Sequence, residues 1–188
     1  MRYREVQEKL TAFRREIAAL REKMRAVQKD AEPEEVEDYR FATTDGPVRL
    51  SALFGGKEYL FVIHNMGRNC PNCTMWADGF NGVLPHLENR AAFVVSSPDD
   101  PETQHNFAAA RGWRFRMVSH QSTNFAADMG YRNDSGWLPG VSVFRRVGDK
   151  IVRVSDAPFE DGDDFCTVWH LFDLLPEGVA GWRAKFAY

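Results

Sequence analysis

Along the first thirty positions, apolar residues recur in steps of four and three: Val6, Leu10, Phe13, Ile17, Leu20, Met24 and Val27, with Arg, Lys, Glu and Gln on the other faces. That spacing predicts a long amphipathic helix over residues 1–30, with an apolar seam at the a and d positions of a heptad. Such a seam packs either on its own domain or against a second copy as a homodimer, and the pattern leaves both open. Asp30-Ala31-Glu32-Pro33-Glu34-Glu35 follows as an acidic, solvated run containing a proline. It reads as a linker, so the main domain starts near Val36 and spans residues 36–188.

The pattern then changes. Residues 41–44 and 48–50 read as short strands around the turn Asp45-Gly46, and residues 51–54 as a helical turn. Tyr59-Leu60-Phe61-Val62-Ile63 and the run 91–95 are continuously apolar, as strands buried on both faces are. Between them, residues 73–87 read as a helix with Trp76, Phe80, Val83, Leu84 and Leu87 on its apolar side. Residues 101–111 are predicted helical with Pro101 near the start, 115–118 a strand, and 124–129 a short helix ended by Gly130. Residues 141–144 and 151–154 flank Gly148-Asp149 as an antiparallel hairpin, and 163–175 closes the chain as a helix. Alternating strands and helices, then a hairpin and a helix, predict an α/β fold with a mixed central sheet and an antiparallel edge.

At 188 residues, 44% hydrophobic and 13% aromatic, the chain carries one substantial core. A net charge of −3, from 24 basic and 27 acidic residues, provides no overall field for nucleic acid or an anionic membrane, so neither is expected as a partner. No apolar run approaches membrane-spanning length, and Met1-Arg2-Tyr3-Arg4-Glu5 lacks the apolar stretch of a secretory signal. The expected compartment is therefore the cytosol. There, an odd count of three cysteines is poor material for structural disulfides, which shifts weight toward chemistry or metal.

Cys70-Pro71-Asn72-Cys73 stands between the apolar strand and the helix that follows. If Cys70 caps that helix, Pro71 occupies its first position, where a missing N–H costs nothing and the fixed φ is already helical. The Cys70 sulfur then meets the free N–H groups of the first turn and the positive end of the helix dipole, which favour thiolate over thiol. Cys73, three residues on, shares that face and can close a disulfide without backbone movement. One thiol attacks and the other resolves.

This order of elements, with a Cys-x-x-Cys after the first central strand and a proline before the hairpin, resembles the thioredoxin fold. The opening Phe41, Asp45-Gly46-Pro47-Val48, Leu50-Ser51 and Leu53 is similar to the start of peroxiredoxin-like members of that superfamily. Cys70-Pro71-Asn72-Cys73-Thr74-Met75-Trp76-Ala77-Asp78-Gly79-Phe80-Asn81-Gly82, Pro139-Gly140-Val141-Ser142-Val143-Phe144 and Asp173-Leu174-Leu175-Pro176 resemble more closely the bacterial thioredoxin-like family known as domain of unknown function 899. The resemblance implies a cis Pro139 beside the dithiol that blocks metal, with the preceding backbone at Leu138 free to pair with an incoming peptide. Trp76 and Trp137 are then candidates for shaping the substrate groove. Asn69 stands where thioredoxins carry Trp, and Pro71-Asn72 replaces their Gly-Pro, so the resemblance does not set the direction of electron flow. Nor does the sequence identify the buried acid that assists the resolving thiol in thioredoxins; Asp78 is one turn beyond Cys73 but reads equally as an ordinary helix residue.

These residues predict a thiol:disulfide oxidoreductase with Cys70 as nucleophile, Cys73 as resolving thiol and Pro139 as shaper of the site. Its partner is a protein or small-molecule disulfide or thiol, with no cofactor and no metal. Three alternatives stand beside it. A thiol peroxidase would use Cys70-Pro71 as its reactive turn, with Arg68 stabilising the thiolate, although Gly67 occupies the place of the peroxide-orienting threonine. A zinc site would join Cys166 and His170, four apart on one helix, to the dithiol. A copper site would pair His64 with the cysteines. The metal readings, or a partner surface on the N-terminal helix, would make the protein a binding module rather than an enzyme.

Overall fold

The computed structural model describes residues 2–188, which divide between Glu34 and Glu35 into two compact units. The first is essentially one helix, α1 (Tyr3–Asp30). Arg2 N–H donates to Glu5 Oε2 at 3.1 Å across its first turn, and no residue of the helix is buried. Leu10, Phe13, Ile17, Leu20, Met24 and Val27 are all exposed, so the seam of the heptad is open along its length.

The second unit is built on one mixed sheet. Its elements are β1 (Glu34–Val36), β2 (Arg40–Thr43), β3 (Gly46–Arg49), a 3₁₀ turn (Leu50–Phe54), β4 (Tyr59–His64), α2 (Pro71–Arg90), β5 (Ala92–Ser97) and α3 (Pro101–Arg111). There follow β6 (Arg116–Ser119), α4 (Phe125–Asp128), β7 (Arg132–Asn133), β8 (Gly136–Trp137), β9 (Gly140–Val147), β10 (Lys150–Pro158) and α5 (Thr167–Phe172). The eight-stranded sheet runs β1-β10-β9-β4-β5-β6-β2-β3, and β7 and β8 form a separate small hairpin. β4, β5 and β6 are parallel neighbours, and β9, β10, β2 and β3 add antiparallel flanks.

Alternation along the central strands divides the core. Leu60, Val62, Val94 and Phe144 face Phe41, Leu50, Phe54 and Phe125 on one side. Ile63, Phe93 and Val95 face Trp76, Ala77, Leu84, Trp113 and Trp169 on the other. Each large apolar side chain so buried contributes about 1.5–3 kcal/mol, which holds α2 against the sheet and fixes where its N-terminus points. Pro85 lies inside α2. Lacking an N–H, it leaves the carbonyl of Asn81 without its intrahelical donor, and Arg114 Nη2 supplies one at 3.2 Å.

Two expectations are corrected. The acidic stretch read as a linker contributes β1, which lies beside β10 at the sheet edge. The closing helix is shorter than 163–175, because the Asp163 carboxylate accepts from the N–H groups of Glu160, Phe165 and Cys166 at 3.1, 2.9 and 3.2 Å. That local pairing makes a turn of residues a helix would otherwise take.

Candidate active site

Cys70 is the N-cap of α2 with Pro71 in the first turn, and its Sγ accepts from Cys73 N–H at 3.0 Å. The carbonyl of Cys70 accepts from both the N–H and the hydroxyl of Thr74, each at 3.0 Å, which completes the cap. The Cα atoms of Cys70 and Cys73 are 5.2 Å apart and their sulfurs form a disulfide. Cys70 keeps 9% exposure and lines a cleft, whereas Cys73 keeps 3%. The geometry therefore distinguishes an outer sulfur from an inner one.

The loop from β4 to Cys70 is held from below. Asn65 Oδ1 accepts from Gly67 N–H at 2.8 Å, and Asp99 Oδ2 accepts from Arg68 N–H at 2.8 Å. Gly67 has φ +98° with the Asp99 carboxylate packed on it: a Cβ there would lie 2.9 Å from Asp99 Oδ2. The residue is glycine for backbone reasons, which accounts for the missing threonine.

The cleft over Cys70 encloses about 590 Å³. Trp76, Phe159, Trp169 and Trp182 form its apolar walls, and Pro139 closes one end. Phe159, Glu160 and Asp161, from the segment after β10, also line it. Asn72 Nδ2 donates to Asp161 Oδ1 at 2.8 Å and Trp76 Nε1 to Asp163 Oδ1 at 3.3 Å, tying that segment to the first turns of α2.

Cys70, Cys73, Trp76 and Pro139 are thus brought together, while Trp137 and Leu138 are not among the residues lining the cleft. The Trp137 ring lies 4.8 Å from that of His120 and under the Arg132 guanidinium at 4.5 Å. The peptide bond before Pro139 is trans, since the described residues contain no cis bond. The backbone around it is partly engaged: Leu138 N–H donates to the Tyr131 carbonyl at 2.9 Å, and the Pro139 carbonyl accepts from Phe159 N–H at 3.0 Å.

The remaining candidates form no ligand set with the dithiol among the described residues. Cys166 is buried, and burial pushes its thiol above the usual range. His170 is exposed beside Asp164 at 3.3 Å. Among the described residues no three His, Cys, Asp or Glu side chains converge as metal ligands, so the zinc and copper constellations are not assembled. Asp78 binds the Arg111 guanidinium and accepts from Trp113 Nε1 at 2.7 Å, which makes it a surface anchor between α2 and α3.

His64 lies on the sheet face away from α2, stacked on Tyr131 with ring centroids 3.8 Å apart. It belongs to a buried polar layer that sequence reasoning missed. His64 Nε2 is 2.8 Å from Ser142 Oγ, and His120 Nδ1 is 2.7 Å from Ser96 Oγ. Burial drives His64 well below its ordinary pKa, with help from His120 and Arg153, and lowers His120 to about 4, with help from Arg132. Both imidazoles are neutral at pH 7. The available signal was alternation: one step beyond Ile63, His64 returns to the face of Leu60 and Val62.

The family model for the bacterial proteins of unknown function termed DUF899 matches residues 2–185. No curated protein matches the chain. Among solved structures it is similar to peroxidoxin BcpB from Mycobacterium tuberculosis, at 25% identity and TM-score 0.54, covering 67% of this chain and 84% of that one. Peroxiredoxin Q of Xanthomonas campestris matches at 21% identity and TM-score 0.51, over 64% of this chain and 80% of that one. A peroxiredoxin-like protein from Aquifex aeolicus matches at 15% identity and TM-score 0.55, over 67% and 74%. The fold is that of the thioredoxin-like superfamily.

Proposed function

The chain belongs to the bacterial protein family DUF899, and we propose that it is a thiol-based redox protein, specifically a dithiol:disulfide oxidoreductase. The observation that carries this reading is the capping geometry of Cys70, whose sulfur accepts a backbone N–H at 3.0 Å with a second cysteine at disulfide separation. In the reduced protein the same N–H and the helix dipole favour the Cys70 thiolate. The thiolate attacks one sulfur of a substrate disulfide, the substrate S–S bond breaks, and one thiolate leaves. Cys73, deprotonated, then attacks Cys70 in the mixed disulfide and releases the second thiolate. Two electrons pass from the dithiol to the substrate, and Cys70–Cys73 is left oxidised.

In this reading residues 36–188 are the redox domain and the open seam of residues 1–30 pairs with a second copy. The reducing cytosol suits a dithiol that must be regenerated. The test is Cys73→Ser, which removes the resolving thiol: challenged with a disulfide, it accumulates a mixed disulfide at Cys70 that mass spectrometry detects and reductant reverses, while Cys70→Ser accumulates none. Absence of the adduct from both variants contradicts the mechanism.

The peroxiredoxin likeness supports a second reading. Cys70 thiolate would take an oxygen from a hydroperoxide to give sulfenic acid and an alcohol, and Cys73 would condense with it to the disulfide, releasing water. Hydrogen peroxide added to the reduced protein distinguishes the two readings by the rate at which thiols are lost.

A further inference from the structure

We propose that the Cys70 cleft takes a low-molecular-weight disulfide and excludes disulfides carried by extended polypeptide. This rests on the oxidoreductase reading above and names its substrate class. A protein segment reaches a sunken sulfur most simply by pairing its backbone with free N–H and C=O groups at the rim, adding a strand to an exposed edge. Beside Pro139, two of the groups such a strand would use are already engaged. Pro158 pairs with Gly140 in the β9–β10 ladder, and Phe159 N–H then takes the Pro139 carbonyl at 3.0 Å. On the other side, Leu138 N–H is bonded to the Tyr131 carbonyl at 2.9 Å.

The chain goes on along the cleft wall with Glu160 and Asp161. Beyond Phe159, residues 160–163 form a compact turn in which Asp163 N–H donates to the Glu160 carbonyl at 3.1 Å and Glu160 N–H to Asp163 Oδ2 at 3.1 Å. This turn is pinned to α2 through Asn72 and Trp76. Phe159 anchors its near end, buried to 4% exposure, with its ring 5.3 Å from Trp76 and 4.8 Å from Phe165. Displacing this turn for a strand would break these bonds and expose an aromatic cluster. What remains accessible is a cleft of about 590 Å³ with apolar walls, on the scale of a small organic ligand.

The test is a single-turnover comparison on the full chain, reduced and freed of reductant. Bis(2-hydroxyethyl) disulfide is the small probe and insulin the protein probe, each rate divided by that of free dithiothreitol with the same disulfide. The expected normalised rate with insulin is about 100-fold lower, the scale of loss when the reacting sulfur cannot reach attack geometry. Equal normalised rates overturn the size selection and leave the oxidoreductase reading intact; failure of both disulfides to react overturns that reading and the inference with it. Asn72→Ala releases the turn from α2, and its insulin rate relative to the small disulfide is expected to rise at least about threefold, the equivalent of one surface hydrogen bond. An unchanged ratio takes the selectivity away from the turn and overturns the assignment.

Discussion

Single positions decide the chemistry and the tolerance of this site. Cys70 and Cys166 both stand at the start of a helix and both are nearly buried, yet Cys70 keeps 9% exposure and its sulfur takes the Cys73 N–H at 3.0 Å, whereas Cys166 keeps 5% and burial pushes its thiol up. In the reduced protein Cys70 is therefore expected to be alkylated first at neutral pH, and peptide mapping after brief iodoacetamide treatment reads the order. Cys166 reacting ahead of Cys70 would contradict it. Gly140 is equally constrained, because a Cβ there would collide with the Tyr131 ring and lie 2.7 Å from the Ala157 carbonyl oxygen. Gly140→Ala is expected to cost about 2–3 kcal/mol in denaturant unfolding, the scale of overpacking a closed site; an unchanged midpoint would show that the ring moves freely. His64 and His120 give the fold its pH dependence. Their folded pKa values lie below the unfolded value of about 6.5, so the unfolded chain binds protons that the folded one refuses. Stability is full above that value and falls as pH drops from 6.5 toward the His120 value of about 4. His120 alone accounts for about 3 kcal/mol over the whole interval by linkage, and urea unfolding between pH 7 and 4 measures it. A midpoint that does not move over that range contradicts the neutral buried pair.

Elements with their own periodicity or caps were legible, and elements made by distant partners were not. The helix read over 101–111 is α3 to the residue, because Pro101 opens it, Asp100 caps Thr103 N–H at 2.9 Å, and Gly112 ends it in the left-handed region at φ +66°. The cap at Cys70 was legible for the same reason, since Pro71 marks the first turn. β1 was not: it is three charged or half-exposed residues whose only claim to strand is backbone pairing with an edge. The tie between α2 and the turn at residues 160–163 was equally hidden, because Asn72 and Asp161 are 89 residues apart and carry no shared pattern. α1 was legible as a helix, and its seam is exposed rather than packed within its own unit. Leu20→Glu puts a charge at the middle of that seam, so sedimentation is expected to show wild-type dimer becoming monomer while the dithiol keeps its reactivity. A wild type that is already monomeric, or a dimer that survives the change, places association elsewhere.

At the scale of the whole molecule, the sheet separates two environments that the sequence brings close together. His64 and Cys70 are six residues apart, yet the alternation of β4 sends the imidazole to one face and the following loop carries the dithiol to the other. One face is an apolar core in which the neutral pair His64 and His120 is buried; the other carries an aromatic cleft with one outer and one inner sulfur. The buried apolar layer formed by Trp76, Ala77 and Leu84 with Ile63, Phe93 and Val95 seats α2 on the sheet and so fixes where the Cys70–Cys73 turn stands. The measurement that tests this most directly is equilibration of the full chain in glutathione buffers of graded potential, followed by trapping and mass counting of free thiols. The account predicts a single reversible two-electron transition at Cys70 and Cys73, within the range of roughly −270 to −120 mV spanned by thioredoxin-fold dithiols, with Cys166 a free thiol throughout. A dithiol that stays locked in one state across the series, or a transition that recruits Cys166, would contradict it.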